Sequence, residues 1–223
     1  MNKNALIGWV FIIAVIAFIV YRKKKKRKPA KSSANNRSSL NTTDPSLISI
    51  SNFQKVVYNK FVVFDLETTG LDPAKDKIVE IGAVRVENGR ITERYQRFID
   101  PGIPMPSSAT KVNHITDDML KGYPPINLVL PHFLKFVGHD VLAAHNAAFD
   151  SSFLNSACAE CRLNPPEYYF DTMRLNVYWP NLKNKKLSTF LDAAGIENKN
   201  AHRALDDAEA TAELIIKTFN KIK

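Results

Sequence analysis

Residues 61–70 have the sequence Phe61-Val62-Val63-Phe64-Asp65-Leu66-Glu67-Thr68-Thr69-Gly70. The four apolar residues at the start are typical of a buried strand, and two carboxylates follow where that strand ends. Residues two apart on a strand point to the same face, so Asp65 and Glu67 are expected to lie together. Two such acids repel each other unless a cation neutralises them. The pair alone leaves two interpretations open, a solvated strand end or part of a metal site.

The rest of the chain alternates between strand and helix patterns. The turn Asn88-Gly89 predicts a hairpin between strands 78–87 and 91–99. Further strands are predicted at 141–144 and 168–170, and helices at 117–120, 127–137, 148–161, 172–178, 188–194 and 203–221. A strand meander followed by alternating helices and strands predicts an α/β fold with a mixed five-stranded sheet flanked by helices.

Two further acidic residues stand at the starts of predicted helices. Asp150 ends the stretch His145-Asn146-Ala147-Ala148-Phe149-Asp150, directly after the fourth strand. On its own it could simply favour the dipole of its helix. Asp207 follows His202, and helical phase places it on the inward face with Ala208 and Thr211, whereas Asp206 is placed on a solvated stripe. A carboxylate on the inward face is costly unless it is paired or bound to a metal.

His202 precedes Asp207 by five residues. On an ideal helix this spacing turns the two side chains about 140° apart, so His202 must lie on the approach loop to share a site with Asp207. Four carboxylates and a histidine would then meet at strand ends and helix starts, where α/β proteins build their sites. Two divalent cations would offset the charge, and oxygen ligands suit Mg²⁺ or Mn²⁺.

These motifs, in this order, resemble the three motifs of the DEDD exonucleases, histidine branch. The resemblance covers about residues 60–220 and implies a ribonuclease H-like sheet and 3′→5′ hydrolysis of single-stranded DNA to nucleoside 5′-monophosphates. It implies that Asp65, Glu67, Asp150 and Asp207 bind two metal ions and that His202 is the general base. It also implies substrate contacts by Thr68, Thr69, Gly70, His114 and Phe149.

Two alternative functions stay open at this point. The same chemistry could act on RNA, since sequence does not show how the pocket treats the 2′-hydroxyl. A non-catalytic module that binds nucleic-acid ends at a membrane is the other alternative. The retention of four mutually repelling carboxylates and His202 argues against it.

The net charge of +9 is unevenly distributed. Ten Lys and Arg and no acid occur in residues 1–40, which leaves 21 basic against 22 acidic residues in the remainder. The main domain is therefore nearly neutral, and we expect it to hold nucleic acid through local patches or bound metal.

The basic residues follow an apolar segment. Residues 5–21 carry no charge, and 22–28 are seven consecutive Lys and Arg. Charge after the apolar run argues against a cleaved signal peptide, and seven adjacent cations argue against a buried core helix. The pattern predicts a single-pass membrane anchor, with a basic collar that attracts anionic lipid and keeps the catalytic domain in the cytoplasm. The predicted organisation is an anchor and collar at 1–28, a polar linker at 29–52 and an exonuclease domain at 53–223.

Overall fold

A computed structural model describes residues 46–222 of the chain. The strands are β1 (Lys60–Thr68), β2 (Ile78–Glu87), β3 (Arg90–Phe98), β4 (Leu142–Ala144) and β5 (Tyr169–Asp171). The α-helices are α1 (Ile50–Gln54), α2 (Ser107–Asn113), α3 (Asp117–Leu120), α4 (Ile126–Val137), α5 (Ala147–Glu160), α6 (Leu187–Ala194) and α7 (Ala204–Lys221). A 3₁₀ helix, Thr172–Tyr178, stands where an ordinary helix was predicted.

The five strands form one mixed sheet in the order β3-β2-β1-β4-β5. The pairs β1–β2 and β2–β3 are antiparallel, whereas β4 runs parallel to both β1 and β5. This arrangement confirms the predicted α/β class with a ribonuclease H-like mixed sheet. The carboxyl ends of β1, β4 and β5 therefore lie along one edge, which is where the first two acidic motifs begin.

The hairpin between β2 and β3 turns on the two residues that predicted it. Asn88 and Gly89 have φ of 52° and 73°, and Glu87 pairs with Arg90 across the loop. Two-residue hairpins of this twist require positive φ at both positions, which asparagine and glycine tolerate best. The turn thereby joins β2 to β3 in the register that pairs Glu80 with Phe98 and Gly82 with Gln96.

The sheet is covered on both faces. Phe61 and Val63 of β1 pack into a cluster with residues of α6 and α7, while Val62 and Phe64 pack into a second cluster with residues of α4 and α5. Burial of alternate residues on opposite faces explains why the apolar run of β1 has no polar interruption. The acidic side chains Asp65 and Glu67 consequently lie toward the end of this strand, after its apolar run.

Residues 46–52, which the sequence assigned to the linker, take part in this fold. Leu47 forms a parallel bridge with Tyr169, and the Ser49 side chain accepts a hydrogen bond from the Asn52 backbone at the start of α1. The predicted anchor, collar and remaining linker lie outside the described residues. In the part of the chain that the structure describes, no helix is both long and apolar enough to cross a membrane.

Candidate active site

Four acidic side chains converge at the carboxyl end of β1. Asp65 and Glu67 lie near the end of that strand, Asp150 lies in the first turn of α5, and Asp207 lies in the first turn of α7. The site thus combines one strand end with two helix starts, as predicted. Helix N-termini carry partial positive charge, which favours carboxylates at these places.

Asp150 is tied directly to β1. Its Oδ1 accepts a hydrogen bond of 3.1 Å from the backbone N–H of Leu66, the residue between the two strand acids. The side chain is only 3% exposed, so its position is set by the packing of α5 against the sheet. This bond fixes the spacing between Asp150 and the Asp65–Glu67 pair.

Asp207 is held by the loop that precedes its helix. The backbone N–H of His202 donates to Oδ2 at 3.0 Å, and the Asn198 amide donates to Oδ1. His202 has φ of 67°, so it lies on the approach loop rather than in α7, as the helical phase required. One ligand atom from each of Glu67, His202 and Asp207 lies within 4.8 Å of the others.

Burial and mutual repulsion raise the pKa values of all four acids. Burial raises the pKa of Glu67 to about 8, with Asp207 and Glu80 adding to the effect. The pKa values of Asp65 and Asp150 are also raised well above the usual range, chiefly by burial, and that of Asp207 is raised. Carboxylates in such a cluster ionise readily only beside cations. The oxygen-rich donor set therefore fits hard divalent ions.

A cavity of about 420 Å³ opens onto these acids. Of the predicted substrate contacts, Thr68, Gly70 and Phe149 line it. Its rim is apolar and open, since Leu71 is 83% exposed and Val112 is 52% exposed. The cavity joins a hydrophobic entrance to a carboxylate-lined floor.

Two predicted contacts are placed elsewhere in the described structure. The Thr69 hydroxyl is buried and accepts from the backbone N–H of Lys77 while donating to Asp76, so it stabilises the turn after β1. His114 is exposed at the C-terminal end of α2, with φ of 58°. Neither residue lines the cavity.

Asn113 is a site residue that the sequence did not indicate. Its Nδ2 donates to the Thr68 carbonyl at 3.3 Å, and its side chain also bonds Glu67, which partly offsets the raised pKa of that acid. It lies at the end of α2, a helix that was not predicted, so no pattern in the sequence placed Asn113 near β1. The buried carboxylate of Glu80 was missed as well.

His145 connects the site to a basic loop. Its Nδ1 is 2.9 Å from the Thr172 hydroxyl, its Nε2 is 2.7 Å from the Lys185 carbonyl, and burial lowers its pKa. A second cavity of about 730 Å³ lies along this loop and is lined by Lys185 and Lys186. The two cavities share His145, His202 and Asp207. The two cavities therefore adjoin at these three residues.

This chain matches known proteins in sequence over the region that carries the site. The RNase T exonuclease family model matches residues 62–215. The DNA polymerase III PolC-type of Clostridium perfringens is 43% identical over 166 residues, which cover 74% of this chain and 12% of that protein. This chain therefore spans only about an eighth of the length of that curated relative.

Solved structures share the fold. Exonuclease X in complex with 5′ overhanging duplex DNA superposes with a TM-score of 0.59 at 28% identity, covering 72% of this chain and 92% of that chain. E. coli exonuclease I in complex with a dT13 oligonucleotide has a TM-score of 0.64 at 19% identity, covering 71% and 40% respectively. At the latter identity the likeness concerns the fold alone.

Proposed function

This chain belongs to the RNase T exonuclease family, and we propose that it hydrolyses DNA from the 3′ end, releasing nucleoside 5′-monophosphates with the help of two divalent ions, Mg²⁺ or Mn²⁺. The observation that carries the proposal is the convergence of Asp65, Glu67, Asp150 and Asp207 on one cavity beside His202. DNA is favoured over RNA because the PolC-type relative is a DNA polymerase and exonuclease X was solved with DNA.

The four acids would hold the metal ions. Bound there, the ions would stabilise negative charge on the attacking and leaving oxygens. His202 is exposed beside Glu67 and Asp207, so its imidazole can accept a proton from a water molecule entering from solvent. Its backbone N–H is bonded to Asp207, and this bond keeps the ring next to the ligands.

The shape of the first cavity suits the terminal nucleoside. Leu71, Val112 and Phe149 offer apolar surface for a base and sugar, and nucleobases present an apolar face whatever their sequence. Among the described residues that line this cavity, none is Lys or Arg. The charge of the scissile phosphate would therefore be met by the metal ions, consistent with a nearly neutral domain.

The second cavity suits the rest of the strand. Lys185 and Lys186 supply positive charge in this cavity, which shares His202 with the first, nucleoside cavity. A strand with its 3′ nucleotide in the first cavity could place a neighbouring phosphate there. We therefore assign 3′-terminal single-stranded DNA as the substrate, either free or as an overhang.

The test is degradation of 3′- and 5′-labelled DNA and RNA by residues 41–223 in Mg²⁺, Mn²⁺ or EDTA. Asp207→Asn should abolish shortening, whereas Asp206→Asn should retain it, since Asp206 faces the Asn200 amide outside the cluster. Metal-dependent loss from the 3′ end of DNA supports the proposal. Preference for RNA would support the alternative substrate, and binding of ends without cleavage would support a non-catalytic module.

We also propose that residues 5–21 anchor the chain in a membrane, with the basic segment 22–28 and the catalytic domain on the cytoplasmic side. The support is the uncharged run and the seven cations after it. Alkaline extraction of membranes should retain the full chain in the pellet and release a chain that lacks residues 1–28. Release of both would contradict the anchor.

A further inference from the structure

Glu80 is a fifth carboxylate close to the site, and it has no role in the proposed mechanism. It lies on β2 and is fully buried. In the sheet register it is the direct partner of Glu67, so the two side chains emerge on the same face. A buried carboxylate next to a proposed metal ligand is costly unless donor groups pair with it.

Both oxygens of Glu80 are occupied by donors. Oε1 accepts from the Gln96 amide at 2.7 Å and from the Arg203 guanidinium at 3.1 Å, and Oε2 faces the backbone N–H of Ala204 at 3.4 Å. The carboxylate is thus satisfied by protein groups and caps the first residue of α7. With these partners it serves the loop before α7 rather than a metal ion.

Arg203 connects this buried acid to the general base. It follows His202 directly in the chain, and its guanidinium also lies over the Phe98 ring, 4.7 Å from the centroid. His202 has a left-handed backbone conformation, which a residue with a side chain adopts at some cost and keeps only when its surroundings enforce it. The Asp207 bond fixes His202 on one side, and the Glu80–Arg203 pair fixes the next residue.

Gly82 lets this loop and the start of α7 lie close against β2. A Cβ atom at Gly82 would lie 2.1 Å from the Ala204 carbonyl carbon, so the start of α7 rests directly on the backbone of β2. Glu80 and Gly82 are two apart on the strand and face the same side. One bonds the start of α7 and the other allows its close approach.

We propose that Glu80 is a positioning residue that, through Arg203, holds His202 at the distance from Glu67 and Asp207 that proton transfer needs. This inference rests on the proposed function and adds a residue to it. Displacement of a catalytic group by about 1 Å can lower a rate about 100-fold. Loss of the Glu80–Arg203 pair should therefore lower kcat while leaving the nucleoside cavity and KM nearly unchanged.

The variants are Glu80→Gln, Arg203→Met and Arg203→Lys, assayed on DNA at saturating metal. Glu80→Gln and Arg203→Met should each lower kcat about 10- to 100-fold with KM within about threefold, and Arg203→Lys should recover part of the loss. Arg94→Met is the matched control, because the Arg94–Glu209 ion pair likewise joins the sheet to the α7 region, from β3, but is more exposed than the Glu80–Arg203 pair. It should keep kcat within about twofold.

A purely electrostatic role would give a different result. Glu80→Gln removes a negative charge near the metal ligands and Arg203→Met removes a positive one, so their metal requirements would then shift in opposite directions. A positioning role lowers kcat in both at every saturating metal concentration. Opposite shifts in metal requirement with unchanged kcat would overturn the inference.

Combination with His202→Ala provides the decisive comparison. Substitutions of residues that act through one group do not have additive effects on the activation free energy. Glu80→Gln should therefore lower the residual rate of His202→Ala by less than about twofold. Multiplied losses would overturn the inference. Thermal melting shows that each variant is folded at the assay temperature, and the metal-loaded wild type serves as reference. A wild type without exonuclease activity would overturn the proposed function and this inference with it.

Discussion

At the scale of single residues, two histidines share a backbone conformation but not a location. His202 has φ of 67° and lies beside Glu67 and Asp207, whereas His114 has φ of 58° and is exposed at the end of α2, away from the cavity. Both lie in the left-handed region, so replacement by alanine changes backbone preference in a similar way. Alanine variants at the two positions therefore distinguish loss of the His202 imidazole from a change in backbone preference.

His202→Ala should lower kcat about 10²- to 10⁴-fold, because we propose its imidazole as the proton acceptor beside the acidic cluster. Metal affinity should change little if the four carboxylates are the metal ligands, as we propose, since all four remain. Single-turnover cleavage of labelled DNA measures the rate, and Mn²⁺ titration measures the affinity. His114→Ala is the control and should retain activity within about twofold. A loss below about tenfold for His202→Ala would remove it as the base.

Residue patterns predicted the charged core of the site but not its supports. Helical phase distinguished Asp207 from Asp206, and the structure buries Asp207 and aims Asp206 at Asn200. Glu80 and Asn113 escaped prediction because their importance depends on long-range contacts. Glu80 meets Arg203 across 123 positions of sequence, and Asn113 meets Thr68 across 45. Local periodicity carries no information about such pairs.

At the scale of secondary structure, the contact between β2 and α7 determines where the third motif lies. Gly82→Ala would place a methyl group against the backbone of Ala204, which cannot rotate away as a side chain can. We expect a loss of about 1–3 kcal/mol in the free energy of unfolding and a lower kcat, because the start of α7 must move. Thermal melting and steady-state kinetics measure the two effects.

Gly89→Ala is the matched control for that change. Gly89 has φ of 73°, and a Cβ atom added there would meet nothing within 4 Å, so alanine introduces backbone strain without a clash. It should lower stability by about 1 kcal/mol and leave kcat unchanged. Equal effects of the two variants on kcat would show that general destabilisation lowers the rate, and not a displacement of the start of α7.

All five strands were predicted, whereas the short helices α1 and α2 were not. β2 lies at the predicted residues 78–87, because apolar side chains and a strict hairpin turn define both its face and its end. Helix α2 was missed, since its seven residues include Ser107, Ser108 and Thr110 and only Asn113 is buried. A helix with so little buried surface has no apolar stripe to detect. The apolar rim of the cavity was missed with it.

At the scale of the whole molecule, the cluster of four acids is expected to make the stability of the metal-free domain depend on pH. The four acids have raised pKa values in the folded state, with that of Glu67 reaching about 8. In the unfolded chain these carboxyl groups have pKa values of about 4. The folded state therefore binds more protons between these limits, and the metal-free domain must lose stability as pH rises through them.

We expect the melting temperature of residues 41–223 in EDTA to fall as the pH is raised from about 5 to about 8. Each acid with a raised pKa contributes stability that is present below about pH 4 and is lost as pH passes its folded value. Saturating Mn²⁺ should restore the loss, since an ion at about 100 times its Kd adds about 2.7 kcal/mol, or roughly 5–10 °C for a domain of this size.

Asp65→Asn provides the control for this prediction. It removes one of the repelling charges of the cluster, while the amide keeps nearly the same shape. The variant should melt at a higher temperature than the wild type in EDTA at about pH 8, should depend less on pH, and should gain less from Mn²⁺. Parallel melting curves for the two proteins would mean that repulsion within the cluster does not limit stability. A higher melting temperature of Asp65→Asn would instead show that the wild-type domain is less stable because these four acids lie together.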